Sequence, residues 1–232
     1  MNSRWIDINS DDGKTFSGYL SLPPAGTGPG IVLVQEIWGV NEHIRAVADQ
    51  YALAGYVVLA PDVFWRLEPR VDLTYSETDS GKAFGLYQKL DFVKAADDVA
   101  SAIKTLRTQP EVTGKTGVVG FCLGGQLAYR AAALTKADAA VAYYGGGIDQ
   151  YLDVAKDVTM PIVFHYALQD QHIPQTAVAA VKEAFAGKSN ATFFDYPNTD
   201  HGFNCWGRPK MYNQHAAALA HGRSLEFLSQ HL

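Results

Sequence analysis

Two cysteines in 232 residues are too few for a disulfide framework, and neither Cys-x-x-Cys nor His-Glu-x-x-His spacing occurs. Basic blocks are missing too. With 19 Lys and Arg against 24 Asp and Glu, the formal charge is -5, which gives a phosphate backbone nothing to follow, so no nucleic-acid partner is expected. Without an apolar run of about 18 residues no membrane span is expected, and Met1-Asn2-Ser3-Arg4-Trp5 lacks the apolar segment of a secretory signal. The expectation is a cytoplasmic, monomeric protein whose partner is a small molecule, with both thiols reduced. Gly26-Thr27-Gly28 and Gly145-Gly146-Gly147 match neither a phosphate-binding loop nor a dinucleotide fingerprint. His215 and His221 are too far apart to share a helical face. No metal and no cofactor are therefore expected. No repeat or linker divides the chain, so residues 1–232 read as one domain.

What the sequence does contain is organised around Gly117-Val118-Val119-Gly120-Phe121-Cys122-Leu123-Gly124-Gly125-Gln126. Val118 and Val119 follow the polar Thr113-Gly114-Lys115-Thr116, read as a turn before a buried strand; Gln126 to Leu134 are good helix formers. A cysteine between strand and helix, flanked by glycines at two residues before and after, reproduces the Gly-x-Ser-x-Gly elbow with sulfur for oxygen. Small neighbours let strand and helix approach, and the Leu123 N–H then faces an oxyanion formed by attack of Cys122. The competing reading is an inert buried thiol.

In chain order, Trp5–Asn9 and Thr15–Leu22 read as an antiparallel hairpin about Asp11-Asp12-Gly13-Lys14. Ile31–Val34, helix-patterned residues after the cap Asn41, and Tyr56–Ala60 then complete a βαβ unit. Asp62 to Gly81 is irregular and aromatic, a candidate lid or pocket wall. Helices are expected over Lys82–Leu90 and Phe92–Leu106, strands at Ala139–Tyr144, Pro161–Ala167 and Ala191–Tyr196, and helices from Pro174 to Ala186 and Met211 to Leu228. The pattern predicts an α/β fold: a mostly parallel sheet of about eight strands, helices on both faces, and an N-terminal antiparallel hairpin.

A thiol attacks well only beside a base, and seven histidines compete for that role. His43, His215, His221 and His231 fall on helices, where an exposed polar face explains them. His165 sits in an apolar strand as a satisfied core residue, and His172, just past a strand end, is ambiguous. His201 lies in a loop after the last strand beside Gly202, where α/β sites form. Asp170, in the loop after the preceding strand, is the expected orienting acid, with an N-cap or turn aspartate as its plainer alternative.

With Cys122, Asp170 and His201 in this order, the chain resembles the dienelactone hydrolase family of α/β-hydrolases over nearly its whole length. The resemblance is carried by Gln35-Glu36-Ile37-Trp38-Gly39, Ala60-Pro61-Asp62, Gly120-Phe121-Cys122-Leu123-Gly124-Gly125, Tyr143-Tyr144-Gly145 and His201-Gly202-Phe203. It implies hydrolysis of a lactone or carboxylic ester through an acyl-thioester on Cys122. His201 would be the base, Asp170 its orienter, and the Ile37 and Leu123 N–H groups the oxyanion hole. It also implies that Glu36 interacts with the resting thiol until substrate displaces it, against the plainer reading of a solvent-facing strand-end glutamate. Family members hold the dienelactone carboxylate with arginines, one soon after the catalytic histidine. Here Cys205 takes that place, Arg208 lies further on, and Lys82 stands near where another arginine is expected. Trp38, Tyr144 and Phe203 are further candidate substrate contacts. The alternatives are a broader esterase or thioesterase, or a non-catalytic redox sensor in which Cys205 resolves Cys122.

Overall fold

The computed structural model describes residues 2–135 and 137–232. β1 (Asn2–Asn9) and β2 (Thr15–Leu22) form the expected hairpin, and β3 (Gly28–Val34), α1 (Glu42–Leu53) and β4 (Val57–Pro61) the first parallel unit. Then follow α2 (Glu77–Lys89), α3 (Phe92–Arg107), β5 (Val112–Phe121), α4 (Leu123–Thr135) and β6 (Ala140–Tyr143). A kinked 3₁₀ segment over Ile148–Lys156, β7 (Ile162–Ala167), α5 (Gln175–Ala184), β8 (Ala191–Tyr196) and α6 (Gln214–His231) complete the chain.

The eight strands lie in the order β1-β2-β4-β3-β5-β6-β7-β8, antiparallel at β1, β2 and β4 and parallel from β4 onward. Strand order reverses between β3 and β5, and a crevice opens beyond the carboxyl ends of strands at such a reversal. Residues alternate across the sheet. On β7, Phe164 packs against Tyr129 of α4, while His165 reaches Ser224 of α6 on the other face. His165 is the satisfied core histidine that the strand pattern predicts: its ring nitrogens lie 2.8 Å from the Tyr196 hydroxyl and 3.0 Å from the Ser224 hydroxyl, and burial pushes its pKa down to about 3.

Several boundaries differ from the sequence reading. Thr113–Thr116 is strand, because β5 extends back along β3 across a register shift at Gly28 and Gly30. α2 begins ahead of Lys82, since the Ser76 hydroxyl accepts from the Asp79 N–H and two acids sit in the first turn. α6 starts at Gln214, where Asn213 caps it, and continues to His231. The 3₁₀ segment has no regular period, so the sequence pattern gives no sign of it. His43 is buried rather than on an exposed face, and His221 is half-buried with its ring 5.0 Å from that of Tyr51. The segment after β4 is tied down. Asp62 accepts from the Phe64 and Arg70 N–H groups, and Asp98 of α3 accepts from Trp65 Nε1 and, through both oxygens, from Arg66.

Packing is very tight at the start of α4. A Cβ on Gly120 would collide with the Gly124 carbonyl, and one on Gly124 would collide with the carbonyls of Val34 and Gln35. By helix propensity alone Gly124→Ala should stabilise α4 by about 1 kcal/mol. The packing predicts the opposite sign, a loss of roughly 2–3 kcal/mol in urea unfolding, because β3 and α4 cannot separate. Unchanged or raised stability would show that this approach is not a constraint.

Candidate active site

Cys122 terminates β5 with φ at +57°, a left-handed conformation that a non-glycine residue occupies only when its surroundings enforce it, at a cost of about 1–3 kcal/mol. Two hydrogen bonds enforce it here: Cys122 N–H donates to the Tyr143 carbonyl at 3.0 Å, and the Cys122 carbonyl accepts from Gly125 N–H at 2.9 Å. The thiol is thereby presented at the mouth of a cavity of about 280 Å³. Ile37 and Leu123 line the same cavity, and no hydrogen bond among the described residues occupies either N–H. At the start of a helix, such a free donor is suited to developing negative charge.

His201 arrives from the loop after β8. Asn198 turns the chain with φ at +56°, Thr199 Oγ1 donates to the Tyr196 carbonyl at 2.7 Å, and the His201 N–H donates to Asp200 at 2.7 Å. The Gln169 N–H donates to the Thr199 carbonyl at 2.9 Å, tying this loop to the one after β7 and bringing Asp170 beside the ring. His201 Nδ1 lies 2.8 Å from Asp170 Oδ2, with both side chains buried. Asp170 is also a turn aspartate, since its other oxygen accepts from the His172 and Ile173 N–H groups. Asp170 thus contacts the His201 ring and caps its own turn, and the turn is what fixes the carboxylate.

Burial works against charge on His201, but the charge and hydrogen bond of Cys122 and those of Asp170 outweigh it and carry the imidazole up to about 10. With Nδ1 engaged by Asp170, Nε2 is the atom left for sulfur. Tyr144, fully buried with φ at +35°, packs edge-on against His201 with ring centres 5.1 Å apart, and Phe203 packs behind it.

Of the expected substrate contacts, Trp38 and Arg208 line the cavity. Arg208 lies 4.7 Å above the Trp38 ring, and no carboxylate among the described residues forms a salt bridge with it. Gly202 leaves room beside it: a Cβ there would stand 2.7 Å from Arg208 Nη1, and the guanidinium would have to shift. Tyr144 and Phe203 are buried behind His201 and do not reach the cavity. Lys82 is away from it, exposed on α2 and paired with Glu68 at 2.7 Å; α2 turns that position to solvent. His172 and Gln150 do line the cavity. His172, whose ring centre is 5.0 Å from that of His201, is signalled only by its nearness to Asp170. Gln150 comes from the 3₁₀ segment, where the sequence carries no periodic signal.

Glu36 is 1 % exposed, not solvent-facing, and neither carboxylate oxygen has a partner at hydrogen-bonding geometry among the described residues, the Cys205 thiol and Tyr144 hydroxyl being its polar neighbours. It makes no hydrogen bond to Cys122. Burial raises its pKa, opposed by the charges of Arg208 and His201 and by the nearby Cys205 and Tyr144 groups. Cys205 is fully buried, its thiol donates to the Tyr75 hydroxyl at 3.3 Å, and burial pushes its pKa up. Both cysteines are free thiols, and burial of Cys205 disfavours a resolving role.

Residues 16–232 match the dienelactone hydrolase family. The chain is 35 % identical over 230 residues to carboxymethylenebutenolidase from Pseudomonas putida and 31 % identical over 230 residues to carboxymethylenebutenolidase 1 from Cupriavidus pinatubonensis. Both alignments cover 99 % of this chain and 97 % of the relative. The crystal structure of a Klebsiella pneumoniae protein assigned as a dienelactone hydrolase superposes with a TM-score of 0.85 at 27 % identity, covering 98 % of each chain.

The imidazolium of His201 should persist to about pH 10 by NMR titration, and Cys122→Ala should lower that midpoint, because the sulfur is one of the groups that raise it. Since the folded value lies above the ordinary 6.5, the stability contributed by this charge is fully present below about pH 6.5 and lost as pH rises through about 10. An unchanged His201 midpoint in Cys122→Ala would remove the charge pair from the site.

Proposed function

The chain belongs to the dienelactone hydrolase family, and we propose that it hydrolyses small lactones or carboxylic esters bearing a carboxylate, of the carboxymethylenebutenolide type, through Cys122, His201 and Asp170. The observation that carries this reading is Cys122 in a left-handed elbow at one cavity with a buried His201–Asp170 pair and two free N–H donors.

Cys122 Sγ attacks the carbonyl carbon while His201 Nε2 holds the proton that left the thiol. The carbonyl oxygen takes up the negative charge against the Ile37 and Leu123 N–H groups, and Asp170 stabilises the imidazolium through Nδ1. As the C–O bond breaks, Nε2 returns the proton to the leaving alkoxide, which in a lactone stays tethered. Water, deprotonated by His201, then cleaves the thioester and restores the thiol. No step needs a metal or a cofactor.

The cavity lies just below the usual range for drug-sized ligands, which favours a small ring. Arg208 supplies positive charge beside the aromatic wall of Trp38, and a carboxylate on the substrate would meet it. Glu36 stands near Arg208 as a competing acid, so substrate binding would trade one carboxylate for another. We place the reaction in the cytoplasm, where free thiols persist.

Assayed against a panel of lactones and open-chain esters with and without a carboxylate, Cys122→Ala should lose about 10³-fold or more in kcat, and Asp170→Asn roughly 10²–10⁴-fold. Hydrolysis that survives Cys122→Ala for every substrate would end this reading. Arg208→Ala should reduce kcat/KM by about 10–100-fold for acid-bearing substrates, with Arg208→Lys recovering part of it, and should affect neutral esters far less. An equal loss on both classes would mean that Arg208 does not recognise a carboxylate.

A further inference from the structure

Beside the catalytic pair, on the far side of Glu36, three potential ligands meet that the hydrolytic reading does not use together. One donor atom from each of Glu36, His43 and Cys205 lies within 4.8 Å of the other two, the one such group of three or more among the described residues. We propose that Glu36, His43 and Cys205 form a binding site for a thiophilic divalent cation of the zinc class, separate from Cys122.

The donor types come first. Thiolate, imidazole and carboxylate together suit zinc, and the two anionic donors balance a double positive charge. Burial is the second observation: Glu36 is 1 % exposed, His43 6 % and Cys205 0 %, so none of the three is a surface group that happens to lie near another. The third is that both Glu36 oxygens and His43 Nδ1 are buried with no partner at hydrogen-bonding geometry among the described residues. Unpartnered polar atoms in an interior cost free energy, and a shared ligand is one way of relieving it.

Zinc–ligand distances of about 2.0–2.3 Å put tetrahedral donors roughly 3.5 Å apart, so the cluster needs to contract by about 1 Å. In the proposed site that contraction is a rotation of the Glu36 and His43 side chains toward the sulfur. On coordination the Cys205 proton leaves for solvent, and the sulfur keeps the Tyr75 hydroxyl beside it. The fourth position is open to water. Arg208 is the opposing charge, close enough to act on both Glu36 and His43, but it lies over the Trp38 ring and the two anionic donors offset it. An entry path exists: a cavity between the start of α1 and residues 206–207 is lined by His43, with Glu42, Asp72 and Arg45 on its walls. Trp206, packed edge-on against His43 at 4.3 Å and 40 % exposed, covers the site from that side. An occupied site would hold Glu36 and slow turnover, a consequence that rests on the hydrolytic reading above; the binding itself does not.

The Cys122→Ala variant of the full chain makes the test specific, because Cys205 is then the remaining thiol. After chelator treatment and a check for cooperative thermal unfolding, it is titrated with Co²⁺ as the optical probe. The expected result is one equivalent bound, with near-ultraviolet thiolate-to-cobalt absorption that Zn²⁺ displaces. Adding Cys205→Ser should abolish the absorption, and adding His43→Gln should weaken Co²⁺ binding at least tenfold. Absence of the thiolate absorption in Cys122→Ala, or its persistence at unchanged affinity with His43→Gln, overturns the proposal. Because the readout is optical and the nucleophile is already gone, failure here is distinguishable from failure of the hydrolytic reading.

Discussion

The close approach of α4 to the central strands is the constraint from which the site follows. A helix that begins one residue after Cys122 must pass so near β3 and β5 that positions 120 and 124 have no room for a side chain. That geometry drives Cys122 into a left-handed conformation which its own backbone disfavours. The strain is held by hydrogen bonds to Tyr143 and Gly125, which belong to the rigid sheet and helix rather than to a loop. As a result the sulfur, the Leu123 N–H and the turn after β3 that carries Ile37 keep fixed relative positions without any contribution from substrate. Preorganisation of this kind is what lets fixed dipoles stabilise a transient charge.

Electrostatics then sorts a crowded interior. Glu36, Asp170, His201, Arg208 and the two thiols occupy one region at the carboxyl ends of the strands, mostly out of contact with water. Burial favours neutral forms, so a charge persists there only where a partner outweighs the desolvation. His201 has such partners in Asp170 and Cys122, and stays charged well above its ordinary range. Glu36 and Cys205 lack them, and burial pushes both toward their protonated forms. The same low-dielectric neighbourhood therefore holds the His201 charge beside Asp170 and Cys122, and two further groups, Glu36 and Cys205, that burial pushes toward neutrality.

The sequence determined the elements whose signals are local. Apolar runs such as Ile31–Val34 and Val57–Ala60 could form only strands buried on both faces, the spacing along α3 could form only an amphipathic helix, and Gly120-Phe121-Cys122-Leu123-Gly124 announced its turn because nothing larger than glycine fits there. The positions of Asp170 and His201 just after strands marked them as candidates, since loops at strand ends are where side chains escape the sheet. Tertiary structure alone decided which candidates meet. Lys82 and Arg208 were equally cationic in the sequence; α2 turns the first toward Glu68 and solvent, while the loop after His201 folds the second over Gly202 and Trp38. His43 read as a surface histidine on a helix, and only the packing of residues 205–207 against α1 buries it beside Glu36 and Cys205. Periodicity reports which face of an element avoids water, but it carries no information on which distant face comes to cover it; that depends on chain connectivity and on how the whole core closes.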